Sequence, residues 1–175
     1  ETRFAVVRYG NVMGSRGSVI PFFMSIKDQG KLPITDPRMT RFMISLEEGV
    51  QLVYDAFDDM VGGEIYVKKI PSMRMDDLGR AIAPEAEQEI VGIRPGEKLH
   101  EQMIGPEDSL TTYEYENHYK ILPAIHNWSA DAARIKTGTK VPEGFTYSSE
   151  TNEAWMSSEE LGAWIEANRG KIGAI

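Results

Sequence analysis

Hydrophobic and polar positions follow two different periods along the chain, which is typical of a protein that mixes strands with helices. Residues 4–7 form a short apolar run that predicts a buried strand. Residues 19–28 have a helical spacing, with Pro21 in the first turn and Gly30 after the last. Ser18 stands where a helix cap is expected. We therefore expect a strand, a loop and a helix in this order.

The clearest helical pattern follows Ser45, which begins the capping box Ser-Leu-Glu-Glu. The apolar residues behind it recur at helical intervals and share one face, as in an amphipathic helix. These residues are Leu46, Val50, Val53, Tyr54 and Phe57. Gly62 and Gly63 predict the end of this helix.

The rest of the chain continues the alternation of extended and helical segments. We expect extended segments at residues 32–35, 64–70, 89–93 and 121–123, and helices at residues 75–83 and 98–104. A capping box at Ser157 predicts a last helix with Leu161, Trp164 and Ile165 facing inward. Residues 105–119 are polar and predict irregular structure.

This alternation of strands and helices favours the α/β class. No linker divides the chain clearly, so we treat residues 1–175 as a single region. The predicted strands are few and short for a parallel sheet. We therefore expect that part of the fold lies upstream of the first residue.

The composition excludes several classes of protein. Lys and Arg number 19 against 27 Asp and Glu, a net charge of −8 that argues against a nucleic-acid partner. The chain has no cysteine, and its three histidines are scattered, which disfavours a metal site. No apolar run is long enough to span a membrane and no signal peptide is visible. The simplest expected location is cytoplasmic.

A glycine-rich loop joins the first predicted strand to the first helix. Gly10, Gly14 and Gly17 would let backbone N–H groups approach a phosphate beside a helix N-terminus. Their spacing differs from the Gly-x-Gly-x-x-Gly fingerprint of dinucleotide sites. A plain strand-to-helix turn remains the alternative.

Three arginines, Arg16, Arg41 and Arg94, stand in or beside predicted loops that follow extended segments. If they converge, they form a clamp for a diphosphate despite the negative total charge. Glu97, across a Pro-Gly turn from Arg94, is placed to accept hydrogen bonds from a ribose diol. The alternatives are surface ion pairs for each arginine and a turn in which Arg94 and Glu97 pair with each other. The spacing of residues identifies no catalytic acid, base or nucleophile.

Several ordered blocks of the sequence resemble one family. Residues 8–23, RYGNVMGSRGSVIPFF, resemble extended short-chain dehydrogenases that act on nucleotide sugars. The resemblance continues through the blocks ITDPRMTRF at 34–42, GEIYV at 63–67, IPSM at 70–73 and GIRPGEKLHE at 92–101. The tail GFTYSS at 144–149, with Asn152 and Trp155, is similar to the inverting UDP-N-acetylglucosamine 4,6-dehydratases of surface-polysaccharide pathways.

This resemblance implies a fold and a chemistry. Members bind NADP in an N-terminal Rossmann domain, oxidise the sugar at C4, eliminate water across C5 and C6, and return the hydride to C6. Their glycine-rich fingerprint and Tyr-x-x-x-Lys pair normally precede the point at which this chain begins. The chain therefore resembles the C-terminal part of such an enzyme, without the dinucleotide-binding half, and we expect it to be inactive alone.

The resemblance also implies site residues. Asn11 would contact the diphosphate or sugar, Val19 the substrate, Thr35 and Pro37 the uridine, Arg41 a phosphate, and Arg94 and Glu97 phosphate and ribose. The nicotinamide side of the NADP site would be lined by Val12, Met13, Gly14, Ser15 and Arg16. No catalytic or metal-binding residue is implied within the chain.

The expected partners are a UDP-sugar and a second copy of the chain, since half of a domain exposes apolar surface that favours association. Two alternatives remain open. One is a stand-alone nucleotide-sugar-binding or interaction module. The other is a fragment of an enzyme with a sibling reaction, such as a related nucleotide-sugar 4-epimerase or a retaining dehydratase.

Overall fold

The computed structural model describes residues 2–123 and 131–173, and its elements confirm the α/β class. The helices are α1 Val19–Ile26, α2 Leu46–Asp59, α3 Met75–Ile82, α4 Ala132–Ile135 and α5 Ser158–Asn168. The strands are β1 Val6–Arg8, β2 Asn11–Val12, β3 Lys31–Ile34, β4 Thr40–Ile44, β5 Ile65–Lys68, β6 Ser72–Arg74, β7 Glu87–Ile90, β8 Gln102–Ile104, β9 Thr112–Glu114, β10 His118–Ile121, β11 Thr139–Lys140 and β12 Tyr147–Ser148. Of the three histidines, His126 lies outside the described residues.

The chain folds into two compact units, each assembled from three separate stretches of sequence. The first unit comprises Glu1–Tyr9, Leu46–Ile70 and Gln102–Ser148. The second comprises Gly10–Ser45, Pro71–Glu101 and Ser149–Ile175. Because the chain passes repeatedly from one unit to the other, no single linker in the sequence marks the division.

The first unit is built on a five-stranded sheet in the order β1-β5-β10-β9-β11. Strands β1 and β5 are parallel, and the remaining pairs are antiparallel. Helix α2 packs on β1 and β5, where Leu52, Ala56 and Tyr66 form a small core.

The predicted helix at α2 is confirmed, but its buried face is not the one that the apolar spacing suggests. Gly49, Leu52 and Ala56 are buried, whereas Tyr54 and Phe57 are 60% and 64% exposed. The small side chains of Gly49 and Ala56 let the helix lie close to the sheet. Leu52 is the large side chain that reaches the core, whereas Val50, Tyr54 and Phe57 remain on the outer surface.

The sequence-based predictions for residues 98–119 are wrong. The predicted helix at 98–104 is a loop followed by strand β8, which pairs with β12 more than forty residues along the chain. The region expected to be irregular contains β9 and β10, an antiparallel pair. Strand β8 needs the distant β12, and the β9–β10 hairpin is held between β5 and β11, so a local pattern shows only part of what fixes these strands.

The second unit encloses the larger core. Its sheets are β2-β4-β6 and the parallel pair β3-β7, and helices α1, α3 and α5 share one apolar cluster with them. The most deeply buried members of this cluster include Ile20, Leu32, Ile34, Met73, Leu78 and Leu161. The predicted capping box of α5 is confirmed, because the Ser157 hydroxyl and the Glu160 carboxylate each accept the other residue's backbone N–H.

A close approach of two backbones in the second unit requires glycine at position 10. A Cβ atom there would lie 2.4 Å from the Cβ of Phe42 and 2.5 Å from its carbonyl oxygen. These separations are far below contact distance and involve the backbone of β4, which cannot move aside alone. Gly10 thus permits β2 to pair with β4.

We expect Gly10→Ala to lower the free energy of unfolding by about 2 kcal/mol through this overlap. The matched control is Gly162→Ala in α5, where a Cβ meets nothing within 4 Å. In this helix interior alanine should stabilise the chain by about 0.5 kcal/mol. Urea unfolding of both variants checks the pair, and equal stabilities would contradict the steric argument.

A buried ion-pair network ties the first unit together. The ammonium of Lys120, a residue only 1% exposed, pairs with Asp59 and donates a hydrogen bond to the Arg134 carbonyl at 2.9 Å. The Tyr66 hydroxyl donates to Asp59 at 2.7 Å, and Lys136 pairs with the same carboxylate. Burial by itself would raise the pKa of Asp59, but the hydrogen bonds from Lys120, Lys136 and Tyr66 outweigh it and lower this pKa from 3.8 to about 2.

Because the pKa of Asp59 is lower in the folded chain, its charge stabilises the fold above about pH 4, and this contribution is lost as the pH falls towards 2. We expect Asp59→Asn to cost about 3 kcal/mol at neutral pH, since it leaves Lys120 buried without its counter-charge. The difference from the unsubstituted chain should shrink below pH 4. Asp58→Asn, on the exposed side of α2, is the control. Unfolding free energies measured from pH 7 to 2 test this, and a pH-independent difference would contradict it.

Candidate functional site

The second unit contains a cavity of about 310 Å³. It lies where strand β2, the residue after β3, strand β4 and the start of α1 meet the turn before residue 98. Its lining residues are Asn11, Val12, Ser15, Ser18, Val19, Thr35, Met39, Arg41, Met75 and Glu97. Apolar, amide, hydroxyl and charged groups therefore face one space.

The strands of this unit determine which side chains reach the cavity. Asn11 and Val12 pair in parallel with Met43 and Ile44, so β2 runs beside β4. Thr35 directly follows β3, and Arg41 lies within β4. Loop positions after parallel strands are common places for ligands in α/β folds.

The start of α1 contributes an unpaired polar atom. Ser18 occupies the N-cap position, with φ −78° and ψ 170°, but its hydroxyl makes no capping hydrogen bond. The Ser18 Oγ atom is buried and has no hydrogen-bond partner among the residues that the structure describes. The expected side-chain cap is therefore absent at this helix, and the hydroxyl is left beside the partial positive charge of the helix N-terminus.

Arg41 is the cavity's cation, and it is largely enclosed. Its side chain is 14% exposed, and its Nη1 donates to the carbonyls of Thr40 at 2.8 Å and Leu99 at 3.1 Å. Its Nη2 donates to the Lys98 carbonyl at 2.9 Å. The Glu97 and Glu101 carboxylates lie 4.0 and 3.9 Å from the guanidinium. Two negative groups thus flank one positive group.

Glu97 ends the tight turn that the sequence predicts at residues 94–97. Gly96 has φ +83°, in the region that favours glycine. The Glu97 N–H donates to the Arg94 carbonyl at 3.0 Å, and the Arg94 N–H donates to the Glu97 carboxylate at 3.2 Å. The carboxylate is therefore fixed by the backbone of its own turn and by the guanidinium of Arg41, with an exposed fraction of 30%.

A second arginine, Arg38, pairs with a carboxylate two residues before it. Arg38 donates from its side chain and its backbone to Asp36, and these hydrogen bonds lower the pKa of the Asp36 carboxyl to about 2. The Arg38 side chain is 72% exposed, so the pair is worth little to stability. Arg41, and not Arg38, lines the cavity.

The structure brings together seven of the residues that the sequence singles out. Asn11, Val12, Ser15, Val19, Thr35, Arg41 and Glu97 line the cavity, whereas Met13, Gly14, Arg16, Pro37 and Arg94 do not. Arg16, Pro37 and Arg94 are exposed, and Met13 belongs to the apolar core. Gly14 has φ +74° and packs on Trp164 and Ile172. The three arginines considered as a clamp therefore do not share this cavity, and the binding roles of all these residues stay predictions.

Three lining residues escaped the sequence reasoning. Met39 and Met75 have no polar signal, and the helical pattern around residue 75 indicated only packing. Ser18 was interpreted as a cap, which is the usual role of serine before a helix. Only the tertiary structure shows that its hydroxyl does not cap the helix and has no hydrogen-bond partner among the described residues.

Two further classes of site find no support in the described part of the chain. No group of three or more His, Asp or Glu side chains there is arranged to hold a metal ion. None of its helices is long and apolar enough to cross a membrane.

Comparison with known proteins identifies relatives of this chain. Residues 1–123 match the family described as polysaccharide biosynthesis protein. The chain is 54% identical over 169 residues to the UDP-N-acetylglucosamine 4,6-dehydratase (inverting) of Campylobacter jejuni, a match covering 92% of this chain and 50% of that protein. It is 42% identical over 126 residues to the UDP-glucose 4-epimerase of Rickettsia massiliae, covering 69% of this chain and 37% of that protein.

A solved structure has a similar fold. The X-ray structure of Pen from Bacillus thuringiensis superposes with a TM-score of 0.79 and 32% identity, over 95% of this chain and 51% of that one. The chain thus spans about half the length of the relatives it matches. The family match and this superposition show that the chain belongs to the polysaccharide biosynthesis protein family and has the fold of part of a Rossmann-like extended short-chain dehydrogenase.

Proposed function

We propose that this chain is the substrate-binding half of an NADP-dependent UDP-N-acetylglucosamine 4,6-dehydratase of the inverting type, acting in the synthesis of surface-glycan sugars. The observation that carries the proposal is the cavity of the second unit, where Asn11, Arg41 and Glu97 meet the start of α1. The 54% identity to a named dehydratase over most of the chain supports the choice of reaction.

The phosphate, the ribose and the sugar of a UDP-sugar each find a suitable chemical group in this cavity. The N-terminus of α1 and the Ser18 hydroxyl offer donors to a phosphate oxygen, and Arg41 supplies a positive charge nearby. The Glu97 carboxylate suits a ribose diol, which presents two hydroxyl donors. The amide of Asn11 both donates and accepts, as recognition of a sugar hydroxyl or a phosphate requires.

The cofactor proposed is NADP, which would supply the hydride acceptor and donor of the reaction when bound. Val12 and Ser15 are the members of the 12–16 segment that line the cavity, so this chain offers one edge of a cofactor site. The Ser15 hydroxyl donates to the Val12 carbonyl at 2.9 Å, which holds the segment in a tight turn. This arrangement fits a wall that contacts one side of a nicotinamide ring.

A related 4-epimerase is the second candidate, because the Rickettsia epimerases match 69% of this chain. The match to the dehydratase is longer and closer than the match to the epimerase, which favours dehydration. Location in the cytoplasm and assembly as a homo-oligomer stay predictions for this protein.

We expect the isolated chain to produce no 4-keto-6-deoxy sugar from UDP-N-acetylglucosamine and NADP. No residue of the cavity is a free acid or base of the kind that hydride transfer at C4 requires, since its carboxylate and guanidinium are engaged with the backbone. A steady-state assay for the keto product checks this, with the complete Campylobacter dehydratase as positive control. Turnover by the isolated chain would contradict the assignment of this half to substrate binding.

We expect Ser18→Ala to weaken UDP binding about tenfold, the loss typical of a hydrogen bond to a charged group. It should leave the thermal stability of the free chain unchanged or slightly higher, because the hydroxyl has no partner to lose. Ser25→Ala, at the other end of α1, removes a hydroxyl that donates to the Phe22 carbonyl and serves as control. Calorimetric titration with UDP measures both variants. If the chain binds no UDP, the proposed function is wrong.

A further inference from the structure

The segment 97–101 is fastened along one edge of strand β4. The Thr40 N–H donates to the Leu99 carbonyl at 3.1 Å, and the Phe42 N–H donates to the Glu101 carboxylate at 3.1 Å. These two N–H groups are two residues apart, so they point to the same edge of the strand. The opposite edge of β4 pairs with β6. The segment therefore occupies the place that a neighbouring strand would take.

A buried cluster of hydroxyl groups fixes the far end of this segment. Ser149 and Thr40 are 0% and 3% exposed, and their hydroxyl oxygens lie 2.7 Å apart. The Ser149 hydroxyl accepts the Glu101 N–H at 2.9 Å, and the Ser149 N–H donates to the Glu101 carbonyl at 2.8 Å. His100 Nδ1 lies 2.8 Å from the Thr40 hydroxyl. Residues 100 and 101 thus have anchors of their own besides the ion pair between Glu101 and Arg41.

The near end of the segment depends on Arg41. Its guanidinium crosses from β4 to the carbonyls of Lys98 and Leu99, and it faces the Glu97 carboxylate. Both Nη1 hydrogens and one Nη2 hydrogen are occupied by backbone carbonyls. Most of the hydrogen-bonding capacity of Arg41 therefore serves the chain itself rather than a ligand.

From this geometry we infer that Arg41 is a positioning residue, which acts on a bound nucleotide through Glu97 by holding residues 97–99 against β4. The inference rests on the proposed function and deepens it. Recognition of the ribose by Glu97, and not only binding of the phosphates, then depends on Arg41. A guanidinium suits the task because its planar fork can bridge several carbonyls at once.

Lysine separates positioning from direct contact with phosphate. It keeps the positive charge that a phosphate needs, but its single ammonium on a flexible stem cannot bridge the same carbonyls. Uridine is the discriminating probe because it contains the ribose and lacks phosphate. A direct phosphate ligand has no effect on uridine, whereas a residue that places Glu97 affects uridine and UDP alike.

We expect Arg41→Lys to weaken the binding of uridine and of UDP by similar factors, each about tenfold. The matched control is Arg38→Lys, an exposed arginine of the same unit that pairs with Asp36, and it should change neither affinity. Titration monitored by NMR measures both ligands, and circular dichroism confirms that the variants are folded. Weakened UDP binding with unchanged uridine binding would overturn the inference.

Coupling to Glu97 gives a second readout. In a Glu97→Gln background, Arg41→Lys should cause little further loss of uridine affinity, because the group that it positions has already been altered. Independent, additive losses from the two substitutions would overturn the inference.

Hydrogen exchange of the free chain tests the fastening without any ligand. We expect Arg41→Lys to speed amide exchange in residues 94–99 at least tenfold while exchange in α5 stays unchanged. Unchanged exchange in residues 94–99 would overturn the inference. If the unsubstituted chain fails to bind UDP, the proposed function fails, and this measurement still decides whether Arg41 holds the segment.

Discussion

The second unit depends on one constraint, which is that the backbone groups of the buried strand β4 must find hydrogen-bond partners inside the protein. Strand β6 fills one edge, and the other edge is shared between β2 and the segment 97–101. Gly10 is needed because the chain approaches β4 too closely for any side chain. The cavity lies next to this shared edge, so the same hydrogen bonds that complete the strand also place Asn11 and Glu97 around one space.

Charge is used differently in the two units. In the first, Lys120 and Asp59 are paired within a network that satisfies both, so the network stabilises packing and leaves no group for chemistry. In the second, Arg41 lies between two carboxylates and three carbonyls at the border of the cavity. In the proposed function, a site of this kind orders the ligand-binding segment first and attracts an anion second, which suits a chain of net charge −8.

The distribution of site residues also explains why the chain is proposed to bind rather than to react. Its cavity holds amide, hydroxyl, carboxylate and guanidinium groups, which recognise phosphate and sugar. The proposed reaction also needs a redox cofactor and a base, and among the lining residues Val12 and Ser15 are the ones proposed to contact the cofactor. The proposed function therefore places recognition and chemistry in different stretches of sequence.

The sequence by itself determined the elements whose signals are local: α1 and α3 by their helical spacing, α5 by its capping box, and the turn at residues 94–97 by Pro-Gly. It also identified most of the residues that line the cavity, largely through the family's motifs. Tertiary structure decided the rest. Strand β8 depends on the distant β12, and the β9–β10 hairpin is held between the distant strands β5 and β11. Helix α2 turns Gly49, Leu52 and Ala56 to the sheet and leaves Tyr54 and Phe57 exposed. Whether an arginine faces a cavity, as Arg41 does, or solvent, as Arg16 and Arg94 do, depends on packing between distant segments, and a linear pattern carries no record of that packing.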